Sequence, residues 1–328
     1  MVHHTLSEVT PDYSTRSLKS SSSHLDESSC STVNTLVTEI NHIYHQLAKA
    51  APHLQPSEHI NALFSKLVQI CIMPVDQPTL NQVLAHPTIR QVQSHLRQLC
   101  SQGEYLLESN WSRMYIQQEK EKEKDDKWEK AMIQQLSTFT YYGNYVDLTR
   151  LECHALLGVG ANLGHIVWVG SGPLPLSSIE MMLQHHTSLR RMDMIDISPE
   201  AIQLSSQLIK RLPWPSTIQS RFHHHVIHAS AYPDYHLADV VCLGALVGDM
   251  EDDNGKLDVI YQVIQNMRPG AWLLIRSAHG LRQLLYPALV PSLHLHTNPR
   301  LVGLLEIVLE LHPHHDVVNS VLIARRIG

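Results

Sequence analysis

The hydrophobic rhythm of the chain changes near residue 140. Before that point apolar residues return at helical intervals, in "VNTLVTEINHIYHQLAKA" (33–50), in "SEHINALFSKLVQICI" (57–72) and in a long third segment. In the third segment Val92, Leu96, Leu99 and Leu106 stand at i, i+4, i+7 and i+14, a single stripe that predicts a buried helix face. Ser57 stands where an N-cap belongs, and Pro56 and Pro74 bracket the second helix. After Thr140, β-branched runs alternate with helical stretches. The runs are "HIVWVGSG", "RRMDMIDIS", "HHHVIHAS", "ADVVCLGAL" and "AWLLIRSA", with "SPEAIQLSSQLIKRL" and "NGKLDVIYQVIQNM" among the helices between them. Such alternation predicts a parallel sheet covered by helices on both faces. The last segment, "LLEIVLELHPHHDVVNSVLIARRIG", reads as two strands around a polar turn, an antiparallel hairpin closing the sheet edge.

This pattern divides the chain into three parts. Residues 1–32 are rich in Ser, Thr and His and hold too few large apolar side chains to offset the entropy of ordering, so a disordered tail is expected. Residues 33–140 form a helical domain, and residues 141–328 the sheet domain. With 328 residues at 43% apolar content, two domains can each hold a core. The run "EKEKEKDDKWEK" (119–130) alternates charges, as a solvated helix face or a linker does.

Composition narrows the partners. Against 31 acidic residues stand 25 basic ones, a net charge of −6, which leaves no electrostatic footprint for nucleic acid and favours a small-molecule substrate. The five cysteines (Cys30, Cys71, Cys100, Cys153 and Cys242) are scattered without a CxxC pair, which suits buried thiols in a reducing, cytoplasmic compartment. No apolar run reaches the ~20 residues that span a bilayer, and no signal-peptide core follows the first charges, so neither membrane insertion nor secretion is expected. Glu8, Asp12, Asp26 and Glu27 interrupt the N-terminal stretch, unlike an organelle transit peptide. The 24 histidines include His3-His4, His185-His186, His223-His224-His225 and His314-His315. Adjacent histidines on a strand point to opposite faces, so no metal site is expected from the triplet.

Ligands of open α/β sheets bind beyond the carboxyl ends of the strands. The first such end is "VGSGPLP": Gly170 and Gly172, with Ser171 between them, let backbone approach a ligand, while Pro173 and Pro175 stiffen the exit into the next helix. A GxG turn alone is shared by dinucleotide binders and many other proteins. Asp196, followed by Ile197, closes the second strand where an acid accepts hydrogen bonds from ribose hydroxyls, and Ser198 is the better helix cap. Arg276 stands at a strand end, placed either to hold a substrate carboxylate bidentately or to form an internal ion pair. His279, close behind it, reads as a turn histidine. Glu104 and Glu108 lie four apart and share a helix face, toward either a site or solvent.

Four segments, "VGSGPLPLSSI", "YYGNYVDLTRLE" (141–152), "GALVGDMEDDNGKLDVI" (244–260) and "PGAWLLIRSAHGLRQLLYP" (269–287), together resemble nicotianamine synthases. "SEHINALFSKLVQICI" is similar to their N-terminal region, and the likeness runs collinearly from about residue 33 to about residue 290. The resemblance implies a class I methyltransferase-type (Rossmann-like) α/β domain behind an N-terminal helical bundle, with S-adenosyl-L-methionine as substrate and no metal. It implies that an amine attacks the γ carbon of the 3-amino-3-carboxypropyl arm and that methylthioadenosine leaves. Nicotianamine takes two such intermolecular transfers and one intramolecular attack that closes an azetidine ring.

Such a reaction needs a base for the ammonium proton and a lone pair in line with the breaking Cγ–S bond. The family pattern YYxNY falls on Tyr141, Tyr142 and Tyr145, which are expected to orient the amine or its carboxylate, with interface packing as the alternative. Glu104 and Glu108 match family acids, whereas Gln102 stands where plant members have an acid, a loss that bears on the acceptor site and on the number of condensation cycles. Ser230 falls where this fold often keeps an acid for the adenine amino group, Ala245 and Leu246 are expected to line the base, and "WVGSGPLP" to cradle the methionine end. Two alternatives remain open: an azetidine-2-carboxylate synthase cyclising one S-adenosylmethionine, and an ordinary methyltransferase releasing S-adenosylhomocysteine. A protein that itself handles metal is a poor fit, because in this family the product chelates. Outward-facing residues of the N-terminal helices are compatible with a homodimer.

Overall fold

A computed structural model of the chain describes residues 22–118, 128–248, 255–313 and 316–328, with side chains from residue 31 onward. Residues 1–21 of the expected tail, the charged run 119–127, His3-His4, His314-His315 and residues 249–254 of the third motif lie outside the described residues.

Four helices open the chain: α1 (Ser22–Ala50), α2 (Glu58–Ile72), α3 (Gln77–Ala85) and α4 (Pro87–Gln117). Helix α1 begins inside the stretch expected to be a tail. Its buried stripe starts at Val33, and a helix once nucleated on such a stripe extends one hydrogen bond per residue. Ser57 caps α2 by accepting from the Ile60 amide, and Asp76 caps α3 through Thr79. The α4 stripe is buried at Val92, Leu96 and Leu99 and partly buried at Leu106.

Then come α5 (Trp128–Leu136), α6 (Tyr142–Gly158), β1 (His165–Val169), α7 (Leu176–His185), β2 (Arg191–Asp196), α8 (Pro199–Arg211), α9 (Ser216–Gln219) and β3 (Phe222–Val226). They are followed by β4 (Val240–Leu243), α10 (Lys256–Asn266), β5 (Trp272–Ser277), β6 (Leu305–Leu311) and β7 (Ser320–Arg326). The strands form one sheet in the order β3-β2-β1-β4-β5-β7-β6. Strands β1 to β5 are parallel, and β7 runs antiparallel to both β5 and β6. The five runs and the closing hairpin thus lie where the hydrophobic pattern puts them. The arrangement is the class I methyltransferase-type, Rossmann-like sheet, with its topological switch between β1 and β4.

Alternate residues of β1 face opposite cores. Ile166 and Trp168 join the core under α6, α7 and α8, whereas Val167 and Val169 join Tyr235, Ile260 and Ile264 on the other face. A third core unites α1 to α4 with Leu281, Leu284 and Leu285, which come from the turn after β5. The histidine triplet divides between the faces of β3: His225 Nε2 lies 2.7 Å from Asp193, while burial pushes His224 down to about 4. Among the described residues no group of three or more His, Cys, Asp or Glu is placed to hold a metal ion, and no helix is long and apolar enough to cross a membrane.

Candidate active site

Beyond Val169 the chain turns sharply because Gly170 and Gly172 take φ values of +74° and +67°, a left-handed region that L side chains rarely adopt. The Gly170 and Ser171 amides both donate to Ile195 O, at 2.8 and 3.1 Å, and so fasten the turn to β2. Asp196 completes the fastening, accepting from the Gly172 amide at 3.0 Å with one oxygen and from the Ser198 amide at 2.9 Å with the other. Space is tight around both glycines. A Cβ on Gly170 would stand 2.4 Å from Val247 Cγ2, and one on Gly172 would stand 3.2 Å from Glu108 Oε2. Ser112 of α4 donates to Pro173 O at 3.0 Å, so the first helical layer is tied directly to the turn.

Between α4 and the strand ends lies a cavity of about 720 Å³, within the range of small-molecule sites. One side is formed by segments 170–178, 195–198, 227–229 and 244–248, and the other by Leu54 of the α1–α2 connection and by Ile60, Phe64 and Ser65 of α2. Glu104 and Glu108 lie between the two. Tyr145 donates to Glu108 Oε1 at 2.7 Å and lies 3.5 Å from Glu104 Oε1, while Tyr286 donates to Glu104 Oε2 at 2.8 Å.

Burial raises the pKa of both carboxyls, and the Glu104 charge raises Glu108 further, against the pull of the Tyr145 hydrogen bond and of Arg276. Two carboxyls linked through one phenol titrate as a unit, above the ordinary carboxylate range. Burial, followed by the charge of these carboxylates, holds Tyr145 and Tyr286 well above an ordinary phenol, so both act as neutral donors. The arrangement supplies an acid–base pair on the cavity wall beside the GxG turn.

The other candidates separate by location. Tyr141 lines the cavity with its hydroxyl 3.4 Å from Ser65 Oγ, and Ser171, Pro173, Asp196, Ile197, Ala245 and Leu246 line it as well. Two of the expected residues stand outside the cavity. The Tyr142 hydroxyl donates to Glu180 at 2.7 Å and lies away from the cavity, because α6 turns it toward α7. Ser230 is exposed and bonded to His228 at 2.7 Å, leaving His228 and Ala229 to line that wall. Arg276 gives its fork to Glu152, with Nε at 2.7 Å and Nη2 at 2.9 Å, and also donates to Ser177 Oγ at 2.6 Å. Its guanidinium stacks over Trp168, so of its two placements the internal ion pair is the one observed.

A family model described as nicotianamine synthase protein matches residues 29–328. The chain belongs to the nicotianamine synthase family. It is 34% identical to a nicotianamine synthase of Solanum lycopersicum, over 91% of this chain and 86% of that one. It is 33% identical to nicotianamine synthase 2 of Arabidopsis thaliana, over 90% and 85% of the two chains. Among solved structures, a mutant of MtNAS in complex with S-adenosylmethionine superposes with a TM-score of 0.67 at 18% identity, covering 89% of this chain and 98% of that one. MtNAS in complex with MTA and tNA gives 0.63 at 16% identity, over 94% and 100%. At these identities the structural likeness establishes the fold. Members of the nicotianamine synthase family are S-adenosylmethionine-dependent enzymes that transfer aminocarboxypropyl groups, with S-adenosylmethionine as the substrate.

Set beside the nicotianamine synthase pattern, the departure at Gln102 falls outside the cavity: its amide donates to Pro52 O at 3.1 Å. Both carboxylates that the family pattern matched, Glu104 and Glu108, line the cavity. Sequence reasoning missed Tyr286, although it lies within the motif at 269–287, and it also missed Glu152, Ser177 and Lys256. Tyr286 reaches Glu104 across 182 residues of chain, a contact without a local signal.

Proposed function

We propose that the chain is a nicotianamine synthase. It transfers the 3-amino-3-carboxypropyl group of S-adenosylmethionine to an amine by attack at the γ carbon, closes an azetidine ring and releases methylthioadenosine. The observation that carries this reading is the Glu104–Tyr145–Glu108 cluster lining the cavity beside the GxG turn. In each step the ammonium of the acceptor loses a proton to this pair, and the nitrogen lone pair forms the N–Cγ bond. The Cγ–S bond breaks with its electrons going to the sulfonium sulfur, so methylthioadenosine departs neutral. A carboxyl pair titrating above its ordinary range accepts that proton more readily than an ordinary carboxylate does.

The volume of the cavity, about 720 Å³, supports the three-molecule product over the single-molecule azetidine reading. Its lining takes in Ile60, Phe64 and Ser65 of α2 as well as the carboxylates, which leaves room for a second amino-acid group, and Gln102, the change that would have argued otherwise, faces Pro52. A cytoplasmic setting belongs to the same proposal, in keeping with the buried free thiols of Cys71, Cys100, Cys153 and Cys242. Glu108→Gln tests the reading: methylthioadenosine release should fall at least about tenfold with ligand binding retained. An unchanged rate would remove the cluster from the chemistry.

A further inference from the structure

Lys256 opens α10 with its side chain wholly inside the protein. Its ammonium donates to Gly244 O at 3.0 Å, to Ala245 O at 2.9 Å and to Arg276 O at 2.9 Å. The first two carbonyls belong to the segment leaving β4 and the third to the end of β5, and all three residues line the cavity. A lysine ammonium has three N–H groups and no acceptor, so its donors match these carbonyls one for one. The backbone closes down on it as well: Gly248 has φ +70°, and a Cβ there would stand 2.6 Å from both Lys256 Cα and N. A buried ammonium is unfavourable unless its hydrogen bonds are made, so packing alone does not account for a lysine here.

We propose that Lys256 is a positioning residue for the nucleoside end of the donor substrate, its three bonds fixing the spacing of the β4 and β5 ends that form one wall of the cavity. The inference rests on the functional reading above and deepens it. The charged group facing Lys256 among the described residues is Arg276 of β5, itself paired with Glu152 of α6. Asp258, two residues along α10, pairs with Arg300. Burial, with Arg276 as the second cause, brings Lys256 down to about 7. A neutral amine keeps two N–H groups for three carbonyls, so one carbonyl of this wall loses its donor as pH rises through neutrality.

The test is equilibrium titration of the full chain with methylthioadenosine, a nucleoside that carries no amine or carboxylate to titrate in this range. Wild-type affinity should fall several-fold between about pH 6 and about pH 8.5 as one of three hydrogen bonds is lost. Lys256→Met should bind about tenfold more weakly than wild type at the lower pH and show no slope. A purely structural lysine would lower the melting temperature and leave the slope in place, which overturns the proposal. If the variant does not fold, wild-type amide exchange across residues 244–248 gives the answer, with faster opening expected at the higher pH and equal opening counting against the idea. Binding that ignores both pH and Lys256 overturns the positioning role alone, and absence of binding at every pH overturns the functional reading with it.

Discussion

Tyr142 and Tyr145 stand three positions apart on one helix and do different things. At 3.6 residues per turn their side chains differ by about 60° in direction, enough to send one to Glu180 under α7 and the other to the paired carboxylates on α4. Tyr145→Phe should therefore slow methylthioadenosine release by at least about tenfold. Tyr142→Phe should leave that rate near wild type and lower stability by about 1–2 kcal/mol, the effect of leaving a buried carboxyl without its donor. Rate assays and denaturant titration on the two variants separate the roles.

The carboxyl pair also fixes a pH dependence. The base acts when ionised and burial has raised its pKa, so kcat/KM should climb with pH along a limb lying above the ordinary glutamate value of ~4.3. Glu104→Gln removes the charge that raises Glu108, and its limb should move to lower pH; an unmoved limb would assign it to another group. Glu104, Glu108 and Tyr145 were legible in the sequence through spacing and family pattern. Tyr286 was not, because its partner is distant in the chain, and Arg276 was legible only as charge at a strand end, since nothing local revealed Glu152.

At the scale of elements, the switch from a helical stripe to β-branched runs carried most of the information. Continuous β-branched apolar runs placed β1 to β5 and the closing hairpin, and the helical stripe placed α4. What they could not supply was the turn after β5, whose Leu281, Leu284 and Leu285 complete the core of α1 to α4 and bring Tyr286 beside Glu104. The elements around the first turn are joined by polar links, Arg276 of β5 to Glu152 of α6 and Ser177 of α7. Arg276→Met leaves Glu152 buried without its counter-charge and should cost about 3–5 kcal/mol of stability, read as a shift in the denaturant midpoint. A shift below about 1 kcal/mol would mean that the ion pair contributes little to holding these elements.

For the whole molecule, function depends on two layers meeting. The sheet offers the strand-end turn and the acid Asp196, and α4 brings the carboxylates down onto them. Composition, periodicity and motif order made both layers legible. The cavity between them was not, because its two sides come from parts of the chain that no local pattern relates. The most direct test is to incubate the purified protein with S-adenosylmethionine alone and determine the masses of the products. Methylthioadenosine together with nicotianamine is the expected result. S-adenosylhomocysteine as the nucleoside product, or recovery of intact S-adenosylmethionine, would contradict transfer at the γ carbon.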